Sequence, residues 1–309
     1  MKAEIYYGKA DVATYRTYAA PLTGVTVIPE SSFTGRANTL LAAVIEVQVL
    51  GTAFMSAYTE GDNRLVVATD TMKNFIQRES LAFSGSTLEE WLAFIGRRFL
   101  ATYPHMERLR VSGVEIPFEP ALVPAADGDG FAESEVLFER QHGDRSTARL
   151  ELGRTGAGEV EVTDLACGRQ GLQLMKVTGS SFADFARDSY TTLPERRDRP
   201  LYIHLDVGWK YISPDAALAT DHAGYVCGEQ VADLVAAVFQ RFVSLSIQHL
   251  VNEIGGVMLD RWPQLSEVSF EAQNRLWDVA VTSETDERLK VYCDPRPPYG
   301  RIGLVLRRD

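Results

Sequence analysis

Thr87-Leu88-Glu89-Glu90-Trp91-Leu92-Ala93-Phe94-Ile95-Gly96-Arg97-Arg98-Phe99 reads as one amphipathic helix that orders everything around it. Thr87 and Glu90 stand at capping-box spacing, each side chain satisfying the other residue's orphan backbone N–H. Leu88, Trp91, Leu92, Ile95 and Phe99 then recur at the helical period and form one apolar stripe. Towards the N-terminus, Met72, Phe75 and Ile76 mark a preceding helix. Before it, Leu65-Val66-Val67-Ala68 is an expected strand introduced by the turn formers Gly61-Asp62-Asn63, and Ile45-Glu46-Val47-Gln48-Val49 is a strand with period-two alternation. Towards the C-terminus, residues 108–118, 135–140 and 147–152 return to the period of two. The first half therefore reads strands, two helices, strands.

The second half repeats that order. Residues 172–177 and 201–211 are expected strands; Val231, Leu234, Val235, Val238 and Phe242 mark one helix, and Ile247, Leu250, Val251 and Ile254 a second. Strands follow at 268–270, 289–292 and 302–306. Such a repeat predicts an α+β protein of antiparallel sheets with helices on one face. At 309 residues the chain exceeds the roughly 150 to 250 at which a single core stops growing, so two domains are expected. Asp127-Gly128-Asp129-Gly130 is the best linker or long-turn candidate near the midpoint. It begins like a calcium loop, but no glutamate stands at the twelfth position, which favours a plain turn.

Composition narrows the function. A formal net charge of -11 and a pI near 5.1 speak against a phosphate-tracking surface, so neither nucleic acid nor an anionic membrane is an expected partner. Cys167, Cys227 and Cys293 are scattered and read as reduced structural residues. No apolar leader, membrane-length run or SKL-type address is visible, and the cytoplasm is the expected location. GxGxxG, P-loop, GxSxG and HExxH signatures are missing. His204 and Asp206 share a strand face but have no third ligand in sequence, so a structural role is favoured over a metal.

Polar groups instead gather at element ends. Tyr7-Gly8-Lys9-Ala10-Asp11-Val12 places a lysine beside a glycine, and taken alone such a lysine is a solvated surface charge. An apolar run delivers Thr69 and Asp70 to a helix N-terminus, where they could cap it or help seat an anion. The densest cluster spans 178–199. Within it Arg199 could hold a planar anionic heterocycle bidentately while Phe182 stacks on its face. Ser246-Ile247-Gln248 opens the last long helix with an amide and free N–H groups.

Taken together, YGKADV, NRLVVATDTMKN, TGSSFADFARDSYTTLPERRDR, SLSIQHL, FEAQN and DPRPPYG resemble the successive motifs of urate oxidases, in family order and across nearly the whole chain. The resemblance implies two tandem tunnelling-fold domains, taken as 1–153 and 154–309. It also implies a homotetramer with active sites between subunits, urate and O2 as substrates, and neither metal nor cofactor. Position by position, Lys9 matches the catalytic lysine and Thr69 the threonine that relays a proton with it. Asp70 matches a backbone contact to substrate, Phe182 the stacking aromatic, Leu193 an apolar wall and Arg199 the clamp. Ile247 and Gln248 match the groups on the opposite edge, and Asn274 the asparagine that orients oxygen or water. The chain departs from the family pattern at Leu276, where many members have a histidine. One of His105, His142, His204, His222 or His249 could supply that role in space, Lys9 and Thr69 could suffice with water, or activity could be lost. Another tunnelling-fold purine or pterin enzyme and a non-catalytic purine-binding relative are the competing readings.

Overall fold

The structure is a computed structural model that describes residues 4–140 and 143–308. They form two compact units interleaved in sequence: 1–27, 33–168 and 210–226 make the first, and 28–32, 169–209 and 227–309 the second.

The first unit contains β1 (Tyr6–Thr17), β2 (Leu40–Leu50), the short α1 (Met55–Thr59), α2 (Thr69–Ala82), α3 (Leu88–Thr102), β3 (Arg108–Glu115), β4 (Glu119–Pro124), β5 (Phe131–Glu139) and β6 (Arg145–Arg154). Strands β1, β2, β3 and β6 pair antiparallel in that order. Next comes β7 (Val160–Lys176), whose residues past Gly168 belong to the second unit. The capping box forms as expected: Glu90 N–H donates to Thr87 Oγ1 at 3.1 Å, and Thr87 N–H donates to Glu90 Oε2 at 3.0 Å. The apolar stripe of α3 packs on β3 and β6, with Trp91, Ile95, Phe99, Val111 and Leu150 fully buried. Trp91 Nε1–H also donates to Ser80 Oγ of α2 at 2.9 Å, so the polar atom of a core tryptophan is satisfied.

Two expectations for this unit change. Leu65-Val66-Val67-Ala68 is not a strand. Its backbone is satisfied locally, Val66 N–H by Asn63 O at 3.0 Å and Val67 N–H by Tyr7 Oη at 2.9 Å, which leaves no ladder to join. Conversely, β1 is a long strand whose sequence shows no clean alternation, because a bulge between Lys9 and Val12 shifts its register against β2. The 127–130 segment is a plain turn at the tip of the β4–β5 hairpin, with Gly128 N–H donating to Ala125 O at 2.9 Å.

The second unit contains most of β8 (Leu201–Tyr211), whose end returns to the first unit beside the short α4 (Asp215–Leu218). Then follow α5 (Gly228–Arg241), α6 (Ile247–Arg261), β9 (Leu265–Asn274), β10 (Asp278–Thr282), β11 (Lys290–Cys293) and β12 (Gly300–Arg307). Its sheet runs β7, β8, β9, β12, and β9 and β12 are antiparallel. Helix α6 packs on β9 and β12 and against α5, burying Leu234, Val238, Leu250, Ile254 and Phe270. Each unit is thus an antiparallel sheet backed by a pair of helices, as the repeated element order predicts. Among the described residues no helix is long and apolar enough to cross a membrane.

Candidate functional site

In the second unit, the polar loop after β7 is held by a few specific bonds. Phe182 and Arg196 exchange backbone hydrogen bonds at 2.7 and 2.9 Å, and Arg199 N–H donates to Ser180 O at 2.8 Å. Asp198 accepts from Thr178 Oγ1 and Gly179 N–H, both at 2.7 Å, and these donors, the hydroxyl foremost, hold its carboxyl below the usual carboxylate range. The loop thereby carries Arg199 inward, only 8% exposed, with its guanidinium carbon 5.3 Å from the Phe182 ring centroid. Burial lowers the Arg199 pKa. Phe185 lies parallel to Phe182 at 4.9 Å and 13°.

Phe182, Leu193, Arg199, Ile247, Gln248 and Asn274 all line one cavity of about 400 Å³, a volume suited to a small organic ligand. Ser246, the N-cap of α6, accepts from His249 N–H at 3.0 Å, which leaves the Ile247 and Gln248 N–H groups without intrahelical acceptors. Arg199 Nε and Asn274 Oδ1 are buried and have no hydrogen-bond partner. Buried polar atoms are nearly always bonded, so Arg199 and Asn274, two residues of one cavity, keep hydrogen-bonding capacity that no protein group satisfies.

Lys9, Thr69 and Asp70 form a separate group in the first unit and do not line that cavity. Lys9 sits half-buried at the β1 bulge. Asp11 beyond it takes φ 58°, and a Cβ on Gly8 before it would lie 1.9 Å from Val47 O, so only glycine fits there. Thr69 is the first residue of α2, whose N-cap is Ala68 and lacks a side-chain cap, so Thr69 does not cap the helix. Its neighbour Asp70 is exposed and pairs with Lys73 at 2.6 Å. The Lys73 hydrogen bond and charge and, more weakly, the Lys9 charge hold the Asp70 carboxyl below its ordinary range.

Leu276 lines the cavity, and none of the four described histidines does. His105 contacts Leu65 O at 3.1 Å, and His222 is buried against Thr23 O at 2.9 Å. His249 lies on α6 with Glu253 at 3.9 Å, and His142 falls outside the described residues. His204 and Asp206 border a second cavity, of about 330 Å³, together with Gln273, Arg275 and Arg301. Burial and then the Arg275 charge lower the His204 pKa, while Asp206 Oδ1 accepts from Gly171 N–H at 2.7 Å. Among the described residues no group of three or more His, Cys, Asp or Glu is arranged to hold a metal ion. The sequence reading missed Asp278, Arg296 and Tyr299 as cavity residues. Arg296 and Tyr299 belong to the DPRPPYG motif, whose polar and aromatic residues beside prolines were the available signal.

An antiparallel sheet backed by a helix pair in each unit, with a ligand-sized cavity at the N-terminus of one helix, defines the chain as a tunnelling-fold protein. It is similar to the solved urate oxidase of Bacillus sp. TB-90 with a TM-score of 0.94 at 43% identity, covering 98% of this chain and 100% of that one. The urate oxidase structure of Bacillus subtilis 168 gives a TM-score of 0.82 at 36% identity, over 98% and 99% of the chains. The Uricase family model matches residues 165–303. A uricase of Haloferax volcanii is 47% identical over 95% of both chains. The uric acid degradation bifunctional protein of Bacillus subtilis is 45% identical over all of this chain, which spans 62% of that relative's length. For the bifunctional relative from Bacillus sp. TB-90 the corresponding share is 59%. The chain belongs to the uricase family.

Proposed function

We propose that the protein is a cofactor-independent urate oxidase, acting as a cytoplasmic homotetramer, that converts urate, O2 and water to 5-hydroxyisourate and hydrogen peroxide. The orphan Arg199 Nε and Asn274 Oδ1, buried around one cavity, carry this assignment. Arg199 clamps the urate anion bidentately, a geometry that a guanidinium matches better than an ammonium. Phe182 stacks on the ring, Leu193 closes an apolar wall, and the Ile247 N–H and Gln248 amide hold the opposite edge. Asn274 orients oxygen or water above the ring. A neighbouring subunit supplies the Asp70 backbone and the Lys9–Thr69 relay, within tandem domains spanning 1–153 and 154–309.

In this chemistry Lys9, reaching through the Thr69 hydroxyl, takes a second proton from the urate monoanion. The dianion then gives two electrons to O2 in single steps, water adds as hydroxide to the oxidised ring, and the reduced oxygen leaves as H2O2 with the proton held by Lys9 and the proton released by that water. With Leu276 in place of the relay histidine, Lys9 and Thr69 carry the proton with water. The test is turnover by chelator-treated protein, following urate absorbance and dissolved oxygen together. One O2 consumed and one H2O2 formed per urate is expected. Urate binding without turnover would instead identify a non-catalytic purine-binding relative, and turnover restored only by added metal would identify a metal-assisted tunnelling-fold enzyme.

A further inference from the structure

Arg275 stands between two cavities of the second unit. Arg275 lines the one with His204 and Asp206, while Tyr299, against whose ring its guanidinium lies, lines the one with Arg199 and Asn274. The guanidinium carbon stands 4.6 Å from the Tyr299 centroid. Nε and Nη2 are anchored on Gln273 Oε1 at 3.3 and 3.0 Å, and the backbone N–H on Tyr202 O at 2.9 Å. Among the described residues no carboxylate forms an ion pair with Arg275, whereas Arg301 of the same cavity is committed to Glu271 at 2.7 Å. The positive charge of Arg275 is therefore directed at an aromatic face, a contact that gains strength where water is excluded.

The position of this contact gives it a consequence for the site. Gly300 pairs with Asn274 at the last rung between β12 and β9. One residue further along each strand the ladder stops, and Arg275 over Tyr299 takes its place. Tyr299 Oη in turn donates to Pro295 O at 3.1 Å, closing the segment that contributes Arg296 and Pro298 to the cavity. We propose that Arg275 is a positioning residue for substrate binding, clasping Tyr299 so that the 295–299 wall and the Asn274 amide keep a fixed separation. The inference rests on the proposed urate site, although nothing in the resemblance gives Arg275 a role.

The experiment measures urate binding by equilibrium dialysis without oxygen, and KM and kcat with oxygen, for Arg275→Met, Arg275→Lys, Tyr299→Leu, Tyr299→Phe and the Arg275→Met/Tyr299→Leu double variant. Arg275→Met keeps the apolar stem and removes the cation. It is expected to raise both Kd and KM roughly 3- to 30-fold, the range of a desolvated cation–π contact, with a smaller change in kcat. Arg275→Lys retains most of the affinity, Tyr299→Phe, which keeps the ring but not the bond to Pro295, loses less than Tyr299→Leu, and the double variant is no worse than the worse single one. Arg301→Gln, which alters a neighbouring charge away from the clasp, stays at parental values. Parental affinity in Arg275→Met, a loss in Arg275→Lys as deep as in Arg275→Met, or multiplicative losses in the double variant each overturn the proposal. If Arg275→Met does not fold by thermal unfolding, the contrast between Tyr299→Leu and Tyr299→Phe decides. Parental protein that binds no urate overturns the urate assignment instead, so the two failures are told apart.

Discussion

Arg199 and Glu89 show how burial turns single residues into measurable quantities. Arg199 is buried with an unpartnered Nε, so under the proposed function its Ala variant removes the guanidinium that clamps the substrate anion. Arg199→Ala is expected to weaken anaerobic urate binding by about 2 to 5 kcal/mol, far more than the loss of a surface arginine, and affinity within error of the parent would remove Arg199 from the site. Glu89 is 3% exposed in the first turn of α3 and accepts from Tyr225 Oη at 3.1 Å. Burial outweighs its hydrogen bonds and pushes its pKa from 4.5 to about 7. A carboxyl raised in this way favours the folded state while protonated. The stability it confers is complete below pH 4.5 and lost as pH rises through about 7, by about 3 kcal/mol. Glu89→Gln keeps the shape without the charge, so its Tm should exceed the parent's at pH 8 and converge with it near pH 5. Parallel curves of Tm against pH would rule out Glu89 as the source.

At the scale of elements, periodicity served helices better than strands. The α3 stripe and its capping box form where the sequence places them, because caps and helical spacing are local properties. Leu65-Val66-Val67-Ala68 failed as a strand for the opposite reason: a strand requires a partner, and a turn and the Tyr7 phenol satisfy this segment first. Strand β1 went unread because its bulge breaks the alternation near Lys9. Gly8 makes that approach possible, since a Cβ there would meet Val47 O at 1.9 Å, a backbone atom that cannot swing aside. Gly8→Ala is therefore expected to push β1 off β2, costing roughly 1 to 3 kcal/mol of stability, and to slow turnover by displacing Lys9. Unchanged Tm together with an unchanged rate would show that β1 tolerates the side chain.

For the whole molecule, the decisive question is how the two groups of site residues act together. Lys9 and Thr69 lie in the first unit and Arg199 and Asn274 in the second, and the proposed function joins the groups across subunits. Lys9→Met and Arg199→Ala chains, each strongly impaired alone, should then regain activity when assembled together from a mixture. Random pairing leaves about a quarter of the sites with both intact halves. No recovery from a mixed tetramer would mean that each chain builds its own site. In unmixed tetramers, Lys9→Met and Thr69→Ala should each cut kcat by about 10² to 10⁴, and the double variant by little more than either, because a relay loses its function once. Rates that multiply independently would refute the relay.

The sequence by itself determined most of the element order, the paired helices on antiparallel sheets and six of the residues around the cavity, Phe182, Leu193, Arg199, Ile247, Gln248 and Asn274. Caps, apolar periods and family motifs are written in neighbouring residues. Only the tertiary structure decided that Phe182, Arg199, Gln248 and Asn274 line one cavity, and that Arg296 and Tyr299 join them there. It also decided that Thr69 begins a helix without capping it, and that Arg275 spends its charge on Tyr299 rather than on a carboxylate. These outcomes depend on which distant backbone groups compete for each hydrogen bond and which side chains exclude water around a charge. Such competition is settled by packing in three dimensions and leaves no period in the chain.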